Sequence, residues 1–148
     1  MRRTGIILLL IIISMIATAT CSYATEIKYE TPEGFTTTQV VHDGDGIVSE
    51  SRMSNGDFGI DVTVYKRTKK TDRQIYRELN GREARKTKVD GIRAREGFTD
   101  IDHMIVFKDG NYIVELFASR SGSAFSGEEY SQLDEIAFQR FLKTIVVK

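Results

Sequence analysis

Cysteine, proline and histidine are scarce in this chain of 148 residues: one Cys, one Pro and two His. The single cysteine, Cys21, lies in the apolar N-terminal region, and none follows it. No disulfide can therefore tie the rest of the chain together, so packing alone must hold the fold. No downstream thiol is available as a nucleophile either. Catalytic motifs are also missing. Ser119, Ser121, Ser123 and Ser126 crowd one segment, yet none stands in Gly-x-Ser-x-Gly. No glycine-rich phosphate loop precedes a helical pattern. There is no internal repeat and no low-complexity linker. These absences argue against an enzyme of a recognisable motif class, although catalytic groups can converge in space without one.

What the N-terminus does contain is an export pattern. Arg2 and Arg3 precede the apolar run Ile6 to Ile13, which continues through Met15, Ile16 and Ala17. That length suits a signal peptide and is short for a membrane span. Ser22-Tyr23-Ala24 places small residues at −3 and −1, so cleavage is expected after Ala24, leaving 25–148 as one domain. Ala17-Thr18-Ala19 fits the same rule but leaves little polar spacer. Lipidation at Cys21 is a rival route. The preceding Thr18-Ala19-Thr20 resembles a lipobox poorly, because Thr20 is bulkier than the usual small residue. The expected location is periplasmic or secreted.

The 41% hydrophobic content is that of a globular chain, and a segment of this length can bury one core. Net charge is zero, but its distribution is uneven. Residues 25–65 carry eight acids against two bases, 66–88 ten bases against three acids, and 96–148 nine acids against five bases. The basic block can steer an anionic partner, or it can be a solvated helix face answered by acidic strands nearby.

Periodicity supplies the elements. Thr31-Pro32-Glu33-Gly34 reads as a turn. Strands are expected over Phe35–Val41, Ile47–Met53 and Phe58–Tyr65. Asp43-Gly44-Asp45-Gly46 turns the chain between the first two, and Ser54-Asn55-Gly56-Asp57 between the next two. In the third strand Phe58, Ile60, Val62 and Val64 face one way, with Asp61 and Thr63 facing the other. Thr71 and Gln74 make a capping-box pattern that opens a helix with Ile75 and Leu79 on its apolar side. That helix stops at Gly81 or continues to Lys88. Strands then follow over Ile92–Phe98, His103–Lys108 and Asn111–Arg120, with Asp109-Gly110 as a hairpin turn. The last has apolar residues on both faces, which marks a central strand. A second capping box, Ser126 with Glu129, opens the C-terminal helix. Its expected stripe is Tyr130, Leu133, Ile136, Ala137, Phe141, Leu142 and Ile145, widened by Phe138. The expected fold is α+β: an antiparallel sheet of about six strands packed by two helices, the C-terminal helix being the main one.

The order of segments carries a resemblance. It begins with Glu33-Gly34-Phe35, a β-meander and a helix. Gly91-Ile92-Arg93-Ala94 and Phe107-Lys108-Asp109-Gly110-Asn111-Tyr112 follow, and Phe141-Leu142-Lys143-Thr144-Ile145 closes the chain. This resembles the Mog1/PsbP-like fold group, which includes small exported bacterial domains. The resemblance implies binding or assembly-factor roles and carries no site residue across.

Candidate sites are few. His42, Asp43 and Asp45 before Gly46 open like a calcium loop, but the twelfth position is Ser54, where a bidentate acid is needed. Asp100, Asp102 and His103 offer metal-ligand types, yet a strand would point Asp102 and His103 to opposite faces. A hairpin turn and an Asp-capped turn explain both clusters. No metal or other cofactor is expected. The basic segment is more distinctive, and Lys66, Arg67, Lys69, Lys70, Arg73 and Arg77 are its candidate binding residues. Their expected partner is an anionic envelope component or an acidic protein. Nucleic acid is not expected, since export and the lack of interleaved aromatics both speak against it. The expected function is an exported non-enzymatic binding or assembly domain. The alternatives are a small hydrolase or metal-dependent enzyme using His42 or His103, and a carrier with an apolar pocket near Tyr112, Leu116 and Phe141.

Overall fold

In the strand Phe58–Lys66 every second side chain is apolar, and Phe58, Ile60, Val62 and Val64 are all buried on one face. The computed structural model describes residues 26–42, 46–120 and 129–148, and this strand is β4 of nine among them. The others are β1 (Ile27–Lys28), β2 (Thr36–Val40), β3 (Ile47–Ser54), β5 (Arg85–Val89), β6 (Ile92–Phe98), β7 (Asp102–Asp109), β8 (Tyr112–Arg120) and β9 (Val146–Val147). Helix α1 spans Lys69–Asn80 and helix α2 spans Gln132–Leu142. Seven strands form one antiparallel sheet in the order β2-β3-β4-β8-β7-β6-β5. The α+β class expected from periodicity is thus observed, with a wider sheet. No helix among the described residues is long and apolar enough to cross a membrane.

β8 is the middle strand, and its two faces feed two cores. Val114, Leu116 and Ala118 join Phe138 and Phe141 of α2 and the following Ile145. Ile113 and the half-buried Phe117 join Ile75 and Leu79 of α1, with Met104 and Val106 of β7. The helices therefore cover opposite faces. A small two-stranded sheet of β1 and β9 closes the α2 side, where Tyr29 meets the edge of the Phe141 ring at 5.6 Å between centroids.

Three expectations need correction, and one alternative is decided. α1 begins at Lys69: Thr68 is its N-cap and Thr71 is N3, each side chain serving the other's backbone. The box is therefore Thr68 with Thr71 and not Thr71 with Gln74. Next, of the two expected ends the helix takes Gly81, and 85–89 is a strand. The two-residue turn Asp90-Gly91, with φ of 47° and 77°, has the twist that pins β5 to β6. Third, α2 is capped by Ser131 with Asp134. Ser126 lies outside the described residues, and Glu129 precedes the helix. Fourth, the buried stripe of α2 is Asp134, Phe138 and Phe141, whereas Leu133 is 77% exposed and Ile136 is 42% exposed. A polar residue on the buried face hid the stripe. The Asp134 carboxylate belongs there because it accepts from Ser131 and from Arg120 at 2.9 Å. Those bonds outweigh the desolvation that would raise its pKa and hold it below the usual aspartate value.

Candidate functional site

α1 lies over β7 and β8 because Ile75 and Leu79, one turn apart, fit against Met104, Val106 and Ile113. Its opposite side faces water. Lys69, Arg73 and Arg77 repeat at i, i+4 and i+8, with Lys70 alongside, and all four are exposed. None makes an ion pair or side-chain hydrogen bond among the described residues. Lys66 is the exposed last residue of β4. Arg67 follows it and approaches Asp72 at 3.5 Å. Lys108 donates to the same Asp72 carboxylate at 2.9 Å and lies 4.7 Å from the Tyr76 ring centroid. The Lys108 hydrogen bond leads the causes that hold Asp72 below the ordinary aspartate pKa.

Of the six expected binding residues, the structure thus brings Lys69, Lys70, Arg73 and Arg77 onto one face. Lys66 stands beside the helix start, and Arg67 is engaged by an acid. Helix electrostatics disfavour most of this arrangement, although Arg77 in the last turn suits the dipole. Lys69 and Lys70 sit at the positive N-terminal end, where a cation costs about 0.3–1 kcal/mol. The i, i+4 repeats set like charges together, at about 0.2–0.5 kcal/mol a pair.

The sheet on either side of α1 is electrically divided. Toward β3 and β4 the flank is acidic. A cleft of about 430 Å³ there is lined by Tyr65, Lys70, Gln74, Glu78 and Glu115. Burial, reinforced by Glu78, pushes the Glu115 carboxyl up to about 7. Toward β5 and β6 the flank is basic. Lys86, Lys88, Arg93 and Arg95 share that face, and none is ion-paired among the described residues. Arg95 donates to the Asn80 side chain at 3.1 Å. The alternation of Arg93 and Arg95 was legible in the sequence. Their convergence with Lys86 and Lys88 was not, because no strand was expected over 85–89.

The histidines have structural partners. His103 sits in β7, within the strand expected from that residue onward, and its side chain is fully buried. Nδ1 lies 2.9 Å from Glu135 and Nε2 lies 3.1 Å from Glu96. Phe98 stacks on the ring and Phe138 meets its edge. Glu96 continues to Arg85 at 2.7 Å, and Tyr130 donates to Glu135 at 3.0 Å. Both ring nitrogens are engaged and the ring is sealed from water, so His103 cannot meet a substrate directly. Asp102 does point to the other face, as the strand reading required, and takes both nitrogens of the Arg82 fork at 3.0 and 3.2 Å. His42 is hydrogen-bonded to Glu50. Asp43 and Asp45 lie outside the described residues, as do Ser121, Ser123 and Ser126. Among the described residues no group of three or more His, Cys, Asp or Glu is arranged to hold a metal ion. Leu116 and Phe141, expected beside a carrier pocket, are buried within one packed cluster.

Compared with known proteins, the chain matches no family model, no curated protein and no solved structure.

Proposed function

We propose that this chain is an exported, non-enzymatic binding or assembly domain of Mog1/PsbP-like type that meets an anionic envelope component through α1. One observation carries the reading: Lys69, Lys70, Arg73 and Arg77 form an exposed face, and none of them is ion-paired among the described residues. The fold keeps Lys69 and Lys70 at the helix end where its dipole disfavours cations, and sets Lys69, Arg73 and Arg77 beside like charges, which points to a role outside the fold. Two basic residues nearby, Arg67 and Lys108, share the single carboxylate of Asp72. Among the cations of α1 itself, the unpaired set lies on the outer side of the helix. Exposed cations of this kind govern encounter more than stability.

The test is co-sedimentation with phosphatidylglycerol vesicles, using phosphatidylcholine vesicles as the uncharged reference. Wild type is expected to sediment with the anionic vesicles only. Combined Lys69→Glu, Lys70→Glu and Arg73→Glu should abolish this while leaving the thermal melting transition within a few degrees of wild type. Equal sedimentation of the reversed variant would return the α1 face to the status of a solvated surface.

A further inference from the structure

The outer edge of β5 is another feature without a partner among the described residues. β5 ends the seven-stranded sheet, and its only ladder among the described residues is with β6. The register shows which backbone groups are free. Asp90-Gly91 is a two-residue turn, so Val89 and Ile92 exchange both hydrogen bonds across the hairpin. Antiparallel pairs then alternate. Thr87 and Ala94 are again bonded to each other, while Lys88 with Arg93 and Lys86 with Arg95 are not. The N–H and C=O groups of Lys86 and Lys88 therefore point away from the sheet.

The same two residues send their side chains to the α1 face, opposite Arg93 and Arg95. Non-bonded antiparallel pairs hold side chains closest, so the ladder twice sets cation against cation. These four residues, with Tyr76 and Ala84, line a groove of about 590 Å³ between α1 and the sheet edge. On the other side of β5, Thr87 and Val89 lie beside Leu142 and Ile145.

We propose that this edge docks an extended acidic peptide, which adds to the sheet as a further strand with carboxylates at alternate positions. Backbone and charge share one period. A strand paired to the free groups of Lys86 and Lys88 places every second side chain over the groove, about 6.6–6.8 Å apart. That is the spacing of Lys86 and Lys88 themselves. The intervening side chains fall beside Thr87, Gln139 and Leu142, a mixed lining that small uncharged side chains such as Val suit. Lysines on an edge strand also discourage self-pairing, and the same charge that repels another copy of β5 accepts an acidic strand. This site is separate from the outer face of α1 and does not depend on it.

Calorimetric titration with two synthetic peptides tests the idea, one alternating Glu and Val, the other gathering the same residues into a Glu block and a Val block. The alternating peptide is expected to bind, with the block isomer about tenfold weaker or worse. Lys86→Ser with Lys88→Ser should weaken the alternating peptide by about tenfold while melting no lower than wild type, since a like-charge contact is relieved. Lys88→Pro removes a backbone donor that the β6 ladder does not use. It should therefore lose more affinity than Lys88→Ser, with the circular dichroism spectrum preserved. Reversal of Lys69, Lys70 and Arg73 should leave the preference between the peptides intact, which separates failure here from failure of the α1 reading. Equal binding of the two peptides, equal loss from Lys88→Ser and Lys88→Pro, or no binding of either peptide would overturn the proposal. Preference for inorganic polyphosphate over the alternating peptide would also overturn it, leaving a general polyanion contact.

Discussion

Phe138→Ala removes a ring that has no exposed surface. That ring stacks on Phe141 at 6.3 Å between centroids and meets the edge of His103 at 4.9 Å. It belongs to the core on the α2 side of the sheet, together with Leu116, Val114 and Ile105. Truncating a buried phenylalanine costs about 3–5 kcal/mol, combining lost transfer energy with a cavity that neighbours fill only in part. The upper half of that range is expected here, since the void also uncovers one face of a buried histidine. Leu133→Ala is the control. Leu133 lies five residues earlier in the same helix but is 77% exposed, so its loss should stay within about 0.5 kcal/mol. Urea denaturation followed by circular dichroism reads both. With a slope near 2 kcal/mol per molar, Phe138→Ala should move the midpoint down by roughly 2 M, and Leu133→Ala by less than about 0.3 M. If Leu133→Ala cost as much as Phe138→Ala, the helix would be rotated from the orientation described and the buried stripe misassigned.

Gly97→Ala should destabilise by about 1–3 kcal/mol, because an added Cβ would stand 2.7 Å from the Arg82 Cβ and 3.2 Å from the Leu79 Cδ1; a midpoint equal to wild type would show that the Arg82 turn gives way freely. Glu115 holds its proton up to about pH 7 in the folded state, chiefly through burial. A carboxyl raised in this way stabilises the fold at low pH, and the contribution is lost as pH climbs from the ordinary glutamate value through 7. Stability should thus fall by up to about 2–3 kcal/mol between pH 4.5 and pH 7.5 through this group. Glu115→Gln should flatten that slope in pH-dependent urea titrations, and an unchanged slope would refute the assignment. Asp72, Asp134 and Glu135 are shifted the other way, so their contributions are present above the ordinary carboxylate range and vanish as pH falls below it.

The sheet was largely legible in the sequence because its strands obey a period of two. Phe58 to Val64 alternate cleanly, and apolar residues on both sides of Tyr112–Arg120 marked the strand that does lie centrally. Elements whose polar residues serve structural ends were harder to read. Asp134 occupies a core-facing position because it caps Ser131 and meets Arg120, so counting only apolar residues rotated the stripe toward Leu133 and Ile136. Arg85–Val89 holds one fully buried side chain, Val89, and reads as a charged continuation of the helix before it. Its strand identity comes from pairing with β6, a non-local fact. The basic face of α1 was visible as a charge block. The division of the sheet into acidic and basic flanks was not, because Glu50, Asp61 and Glu115 come from different strands.

The most direct test of the α1 reading is the salt dependence of binding to phosphatidylglycerol vesicles, measured side by side for wild type and the Lys69→Glu, Lys70→Glu, Arg73→Glu variant. Screening shortens from about 10 Å at 0.1 M salt to about 3 Å at 1 M. Wild-type affinity should fall steeply across that range, while the reversed variant stays unbound throughout. A variant that bound as tightly as wild type at low salt, or a wild-type affinity indifferent to salt, would contradict an anionic partner on this helix.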